Sequence, residues 1–211
     1  MPSTAYSQIV AELAREATVV CYDHPAPLNA ESVADLADRL GVVSMGYFGH
    51  SSVRPELLRS PVLEAFVLCD PSTLPVRFAM REGGFVQRSL HPSAPVLSIR
   101  AEFTASSPVP FVPRPFSPQL ASATEVEYPG VGHADILDDS YATMCHRIGI
   151  RGTTVDHARR VRAEYRAAVG SAATQFLLRA ARCADVSRKE KDWRQQNNST
   201  SSPIEENATV T

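Results

Sequence analysis

Val42-Val43-Ser44-Met45-Gly46-Tyr47-Phe48-Gly49-His50-Ser51-Ser52-Val53 is a β-prone apolar run that breaks into small and polar residues. Residues 42–48 read as a buried strand, and the five residues after them as a tight turn leaving its carboxyl end. The pattern recurs. Residues 63–69 form a stronger strand, 95–99 another and 124–128 a short last one, while upstream 18–22 is a β-branched run suited to a first strand. Helix-period segments lie between them. Residues 6–15 place Ile9, Val10 and Leu13 on one face; residues 31–40 follow Asn29, carry Val33, Leu36, Ala37 and Leu40 at helical spacing, and stop at Gly41. Residues 157–182 close the domain as a long helix with Val161, Tyr165, Ala168, Ala172 and Phe176 on one stripe. Short, fully apolar strands alternating with helices imply an α/β fold, a mostly parallel sheet with helices on both faces. In such sheets ligands bind beyond the carboxyl ends of the strands, so the polar residues just after each strand are the ones to examine.

Composition narrows the function classes. The chain has 211 residues, 44% hydrophobic and 21% charged, with a formal net charge of −2, which suits one domain with a real core. A near-neutral balance gives no electrostatic reason to expect nucleic acid or an anionic membrane as partner. No apolar run approaches the roughly 18–20 residues of a membrane span, so no stable membrane insertion is expected. Residues 1–6 carry no basic, apolar leader, and the chain as written reads as cytoplasmic; a plastid address would lie upstream of it. Cys21, Cys69, Cys145 and Cys183 are widely spaced without CxxC pairs, which favours reduced, mostly buried thiols over disulfides or zinc. The domain is expected to span 1–182. Residues 183–211, ending in an Asn-, Ser-, Thr- and Glu-rich stretch, are expected to be a disordered polar tail.

Three strand ends carry chemistry. After residues 42–48 comes Gly49-His50-Ser51, where a serine can serve as nucleophile or simply cap a helix. The next strand ends Cys69-Asp70-Pro71: an acid there can orient a histidine, or start a turn before proline. After the last strand, Gly130-Val131-Gly132-His133 can bring an imidazole over the sheet edge, though a loop histidine is also an ordinary surface residue. Glu102, after the strand 95–99, is the second candidate acid. Asp23-His24 and the group Asp135, Asp138 and Asp139 read as solvated loop carboxylates, since no spacing among them suggests metal ligation. Residues 103–118 are Pro-rich with Val109, Phe111, Val112 and Phe116, either a stiff surface loop or an apolar rim for a lipid-like ligand.

Ser51, Asp70 and His133 occur in the order of an α/β-hydrolase triad, each directly after its own strand, and Gly49-His50-Ser51 resembles that superfamily's G-x-S-x-G elbow. Within it the chain resembles the chlorophyllases. The resemblance rests on Gly49-His50-Ser51, on Ala65-Phe66-Val67-Leu68-Cys69-Asp70-Pro71, and most specifically on Gly132-His133-Ala134-Asp135-Ile136-Leu137-Asp138-Asp139. Cys145 and a closing helix with Arg162 and Phe176-Leu177 are also similar to that family, and the platelet-activating-factor acetylhydrolases are the next nearest branch. The resemblance implies Ser51 as nucleophile, His133 as general base and Asp70 as the triad acid. It implies a small lipophilic ester as substrate, such as the phytyl ester of chlorophyll, and neither metal nor organic cofactor. Two departures bear on activity. Val53 replaces the elbow's final glycine, and the chain as written begins after the family's first strands and their oxyanion-hole turn. An oxyanion donor is worth about 10²–10³ in turnover. A slow, amino-terminally incomplete hydrolase is therefore expected, with a non-catalytic or binding relative as the alternative.

Overall fold

The structure, a computed structural model, describes residues 3–22, 28–52, 55–72, 94–102, 123–150, 152–153 and 158–199. Four strands form one sheet: β1 (Met45–Ser52), β2 (Leu63–Ser72), β3 (Val96–Ala101) and β4 (Thr124–Tyr128). They lie side by side in chain order and every pair is parallel. Parallel neighbours need crossover connections, so all four strands deliver their carboxyl ends to one edge. A 3-10 turn at Pro55–Arg59 is the described part of the first crossover. With helices packed on the sheet, the class is α/β.

Strand periodicity divides the core in two. From β2 and β3, Val67, Cys69, Leu97 and Ile99 point to one face, where they meet Ile9 and Leu13 of α1 (Ser7–Leu13) and Tyr165, Val169 and Ala173 of α4 (Ala158–Ser199). Phe66, Leu68 and Val96 point the other way, against Leu57, Leu58 and Val33 of α2 (Ala30–Leu40). The Val, Leu, Ile and Phe side chains among them each contribute about 1.5–3 kcal/mol relative to exposure. Edge strand β4 is half-buried and turns Glu125 and Glu127 outward, each within 4 Å of the Arg100 guanidinium (3.8 and 3.6 Å).

The helix signals around α2 explain a shift in β1. The Asn29 side chain accepts the Ser32 N–H (2.8 Å), while Ser32 Oγ accepts the Asn29 N–H (2.9 Å), a reciprocal capping box. At the other end Gly41 takes a left-handed φ of 65°, and the Val42 N–H returns to the Ala37 carbonyl. Val42 thus finishes the helix, Val43 is 78% exposed, and the strand starts at Met45 rather than at residue 42.

Two expectations are corrected. Residues 18–22 are not a strand: Val20 and Tyr22 are exposed and, among the described residues, the segment is not part of the sheet, so β-branched composition alone did not make it one. Residues 183–199 are helical rather than unordered, because α4 runs unbroken to Ser199. Extending an existing helix avoids the nucleation penalty, and Lys, Arg, Glu and Gln are good helix formers. Arg188 anchors the extension to Glu64 of β2 (2.8 Å) and pairs with Asp185 one turn back on the same helix (2.7 Å). Residues 200–211 lie outside the described residues, as do the Pro-rich 103–118, Val53 and Asp23-His24. Of the four free thiols, Cys69 and Cys145 are buried and Cys21 and Cys183 exposed, so only half are the buried thiols expected. Burial raises the Cys69 and Cys145 thiols, which keeps them unreactive. Among the described residues no helix is long and apolar enough to cross a membrane.

α1 crosses α4 closely enough that a Cβ added at Gly170 would stand 2.7 Å from the Glu12 Cβ. Gly170→Ala gains up to about 1 kcal/mol of helix propensity. Overpacking against another helix near its backbone costs about 1–3 kcal/mol, and we expect it to win. The variant should melt below the wild type; a higher melting temperature would show that α1 yields freely.

Candidate active site

Ser51 stands near the carboxyl end of β1 and Asp70 near that of β2. Each follows a residue of the register pair His50↔Cys69, so the two stand side by side at an irregularity in the pairing. Beyond it the strands pair once more at Ser52↔Ser72 rather than ending in the turn expected at 49–53. Among the described residues they are also the two non-glycine positions with positive φ, 66° at Ser51 and 43° at Asp70. An L-residue there is uncommon and costs on the order of 1–3 kcal/mol, and such strain concentrates at functional sites. For Ser51 it coincides with the irregularity in the β1–β2 register between His50 and Ser52. For Asp70 it coincides with a fixed carboxylate, 2% exposed, that accepts the Ala101 N–H of β3 through Oδ1 (2.9 Å).

His133 reaches this edge from the loop after β4, and its Nδ1 lies 3.3 Å from Asp70 Oδ2. A carboxylate can only accept, so Nδ1 carries the proton and Nε2 keeps its lone pair, the tautomer a general base requires. Glu102 does not approach His133; it is exposed and accepts the Gly130 N–H (2.7 Å), bracing the start of the same loop.

His50 belongs to the same cluster. Its Nε2 lies 3.0 Å from the His133 carbonyl oxygen, its Nδ1 2.9 Å from the Tyr6 hydroxyl, and its ring 4.5 Å from the His133 ring, centroid to centroid. Burial and the neighbouring His133 hold its pKa well below the ordinary 6.5, so the ring is neutral. Because a carbonyl only accepts, Nε2 is the protonated nitrogen and Nδ1 accepts the Tyr6 O–H. Sequence reasoning passed over His50, treating it as the spacer of Gly49-His50-Ser51. Ligand atoms of His50, Asp70 and His133 all lie within 4.8 Å of one another, a donor set that could suit a divalent metal. Both His50 nitrogens and both Asp70 oxygens already hold hydrogen bonds, however, and a metal would have to break them.

The carboxylates after His133 are structural rather than solvated. Asp135 is fully buried; its Oδ2 accepts the Gly132 N–H (2.7 Å) and the Thr153 N–H (2.8 Å), and its Oδ1 lies 3.1 Å from His146 Nε2. Asp138 accepts the backbone N–H and the hydroxyl of Ser7. Asp139, the first residue of α3 (Asp139–Arg147), pairs with Arg162 (2.9 Å) and Arg166 (3.3 Å). Burial opposes ionisation of Asp139, but those two guanidinium groups prevail and lower its pKa. Buried Arg166 also donates to the Leu137 carbonyl (2.7 Å) and to Gln8 (2.7 Å), so α1 and α4 clamp the loop that carries His133.

Comparison with protein-family models, curated proteins and solved structures returns no match for this chain.

Proposed function

We propose that the chain is a serine ester hydrolase of the α/β-hydrolase type, with Ser51 as nucleophile, His133 as general base and Asp70 as the acid that orients it. The observation that carries the reading is the coincidence of strain and chemistry: among the described residues the two left-handed non-glycine positions are the serine and the acid, and the acid accepts from the histidine Nδ1, which suits a base at Nε2. Ser51 Oγ attacks the ester carbonyl carbon while its proton passes to His133 Nε2. The tetrahedral oxyanion collapses, the carbon–alkoxide bond breaks, and the imidazolium protonates the departing alcohol. Water, deprotonated by the same nitrogen, then releases the acid from the acyl-serine. Through both steps the Asp70 carboxylate stabilises the imidazolium. The resemblance to chlorophyllases makes a lipophilic ester, the phytyl ester of chlorophyll among them, the proposed substrate class, with no cofactor required.

A fluorophosphonate probe tests the nucleophile directly, because it phosphonylates only an activated serine. Mass spectrometry of the wild type should find the adduct on the peptide holding Ser51, and Ser51→Ala should lose both the adduct and hydrolysis of p-nitrophenyl esters. No adduct on folded protein, or equal ester hydrolysis by both proteins, would overturn the reading.

A further inference from the structure

Resting on that reading, we infer that His50 is a positioning residue: held between the Tyr6 hydroxyl and the His133 carbonyl, it fixes the main chain of His133 relative to the strand that carries Ser51. Three segments far apart in the chain meet at this one ring. Tyr6 ends the 3-10 turn ahead of α1, His50 lies on β1, and His133 sits in the loop after β4. His50 immediately precedes Ser51 and donates through Nε2–H to the His133 carbonyl at 3.0 Å. A single side chain therefore ties the backbone of the proposed nucleophile to that of the proposed base. Asp70 fixes the His133 ring and His50 fixes its carbonyl, and together the two anchors restrict where Nε2 points.

The His133 carbonyl decides which way the ring serves, because it can only accept and so keeps the proton on Nε2. The Tyr6 hydroxyl, 2.9 Å from Nδ1, then donates to the remaining lone pair. Without that hydroxyl, Nδ1 loses its donor and the ring its second anchor. Tyr6 is itself held edge-on to His50 (centroids 5.7 Å, 72°), and its phenol is raised by burial, so it stays a donor. Glutamine can copy both bonds of the neutral ring, because its amide donates and its oxygen accepts. Alanine copies neither.

The test combines kinetics with a direct readout of the tautomer. A misplacement near 1 Å costs about 10² in rate, so His50→Ala should lower kcat about 100-fold on a p-nitrophenyl ester with KM little changed. His50→Gln should recover most of that loss, and Tyr6→Phe should fall between them. Long-range ¹⁵N–¹H spectra should show His50 protonated on Nε2 in the wild type and still so in Tyr6→Phe, because the His133 carbonyl remains its acceptor. Equal losses in folded His50→Gln and His50→Ala, or an Nδ1–H His50 in the wild type, would overturn the inference. Should Ser51→Ala leave ester hydrolysis intact, the hydrolase reading fails. The His50 tautomer, and displacement of the His133 resonances in His50→Gln and His50→Ala, would still decide whether His50 holds His133.

Discussion

Asp70→Asn should lower kcat/KM for a p-nitrophenyl ester by about 10⁴-fold, the scale of a triad histidine held in the wrong tautomer. The geometry forces the outcome. Asp70 Oδ1 accepts the Ala101 N–H, and Oδ2 accepts the His133 Nδ1–H. Asparagine has one acceptor and one donor end. Its oxygen must stay on the buried Ala101 N–H, since orphaning that group costs about 1–3 kcal/mol. The NH₂ then faces His133 Nδ1, which must give up its proton to accept, and Nε2 becomes the protonated nitrogen. The proposed base is lost while the fold is kept. Glu102→Gln should leave the rate within about twofold, because Glu102 bonds the Gly130 N–H at the surface and its amide oxygen can do the same. Steady-state kinetics on both variants, with urea melts to confirm folding, make the comparison. The opposite ranking would move the acid to the strand end that Glu102 occupies and remove the support for a chlorophyllase-like layout.

Wherever local signals and tertiary packing agree, the sequence is legible. α2 is marked by its caps at Asn29 and Gly41 as well as by its apolar stripe, and four of the five expected strands are present in one parallel sheet. The fifth, 18–22, had β-branched residues but lies outside the sheet among the described residues, and pairing is a property of two segments. α3 escaped notice because it buries only Ala142 and Cys145, too few apolar positions for a period to show. Residues 183–199 looked like a tail because their composition is polar, yet a helix already running from Ala158 continues through such residues readily.

The site divides the same way. Ser51, Asp70 and His133 could be picked out because the parallel-sheet pattern says where to look. His50 could not, since its partners lie 44 and 83 residues away and nothing local marks the middle residue of Gly49-His50-Ser51. Asp135 was misassigned for a similar reason. In sequence it is one of three loop carboxylates, but one of its two backbone donors, Thr153, is 18 residues on. Burial of that kind is decided by how α3 and α4 fold back over the loop.

Asp135→Ala should destabilise the fold by about 3 kcal/mol, because it leaves the buried Gly132 and Thr153 N–H groups without an acceptor at about 1–3 kcal/mol each. Asp135→Asn should lose much less, since one amide oxygen can take both N–H groups in the same space. Charge adds little here, and the pKa direction says why. Burial raises the Asp135 carboxyl, against the two N–H bonds and the charges of His146 and Arg162. A folded pKa above the unfolded value binds more protons in the native state, so the acid's contribution is fully present below about 3.9 and is lost as pH rises through the folded value. Urea melts should therefore show the wild type losing ground to Asp135→Asn across that window, with the two close together at neutral pH. A large neutral-pH deficit in the asparagine variant would mean that the ionised pair with His146 outweighs desolvation. Function should follow the alanine variant's stability. Gly132 is the residue before His133, and releasing its N–H loosens the chain that carries the proposed base. Asp135→Ala should accordingly lose kcat even at temperatures where it remains fully folded, and Asp135→Asn should keep it.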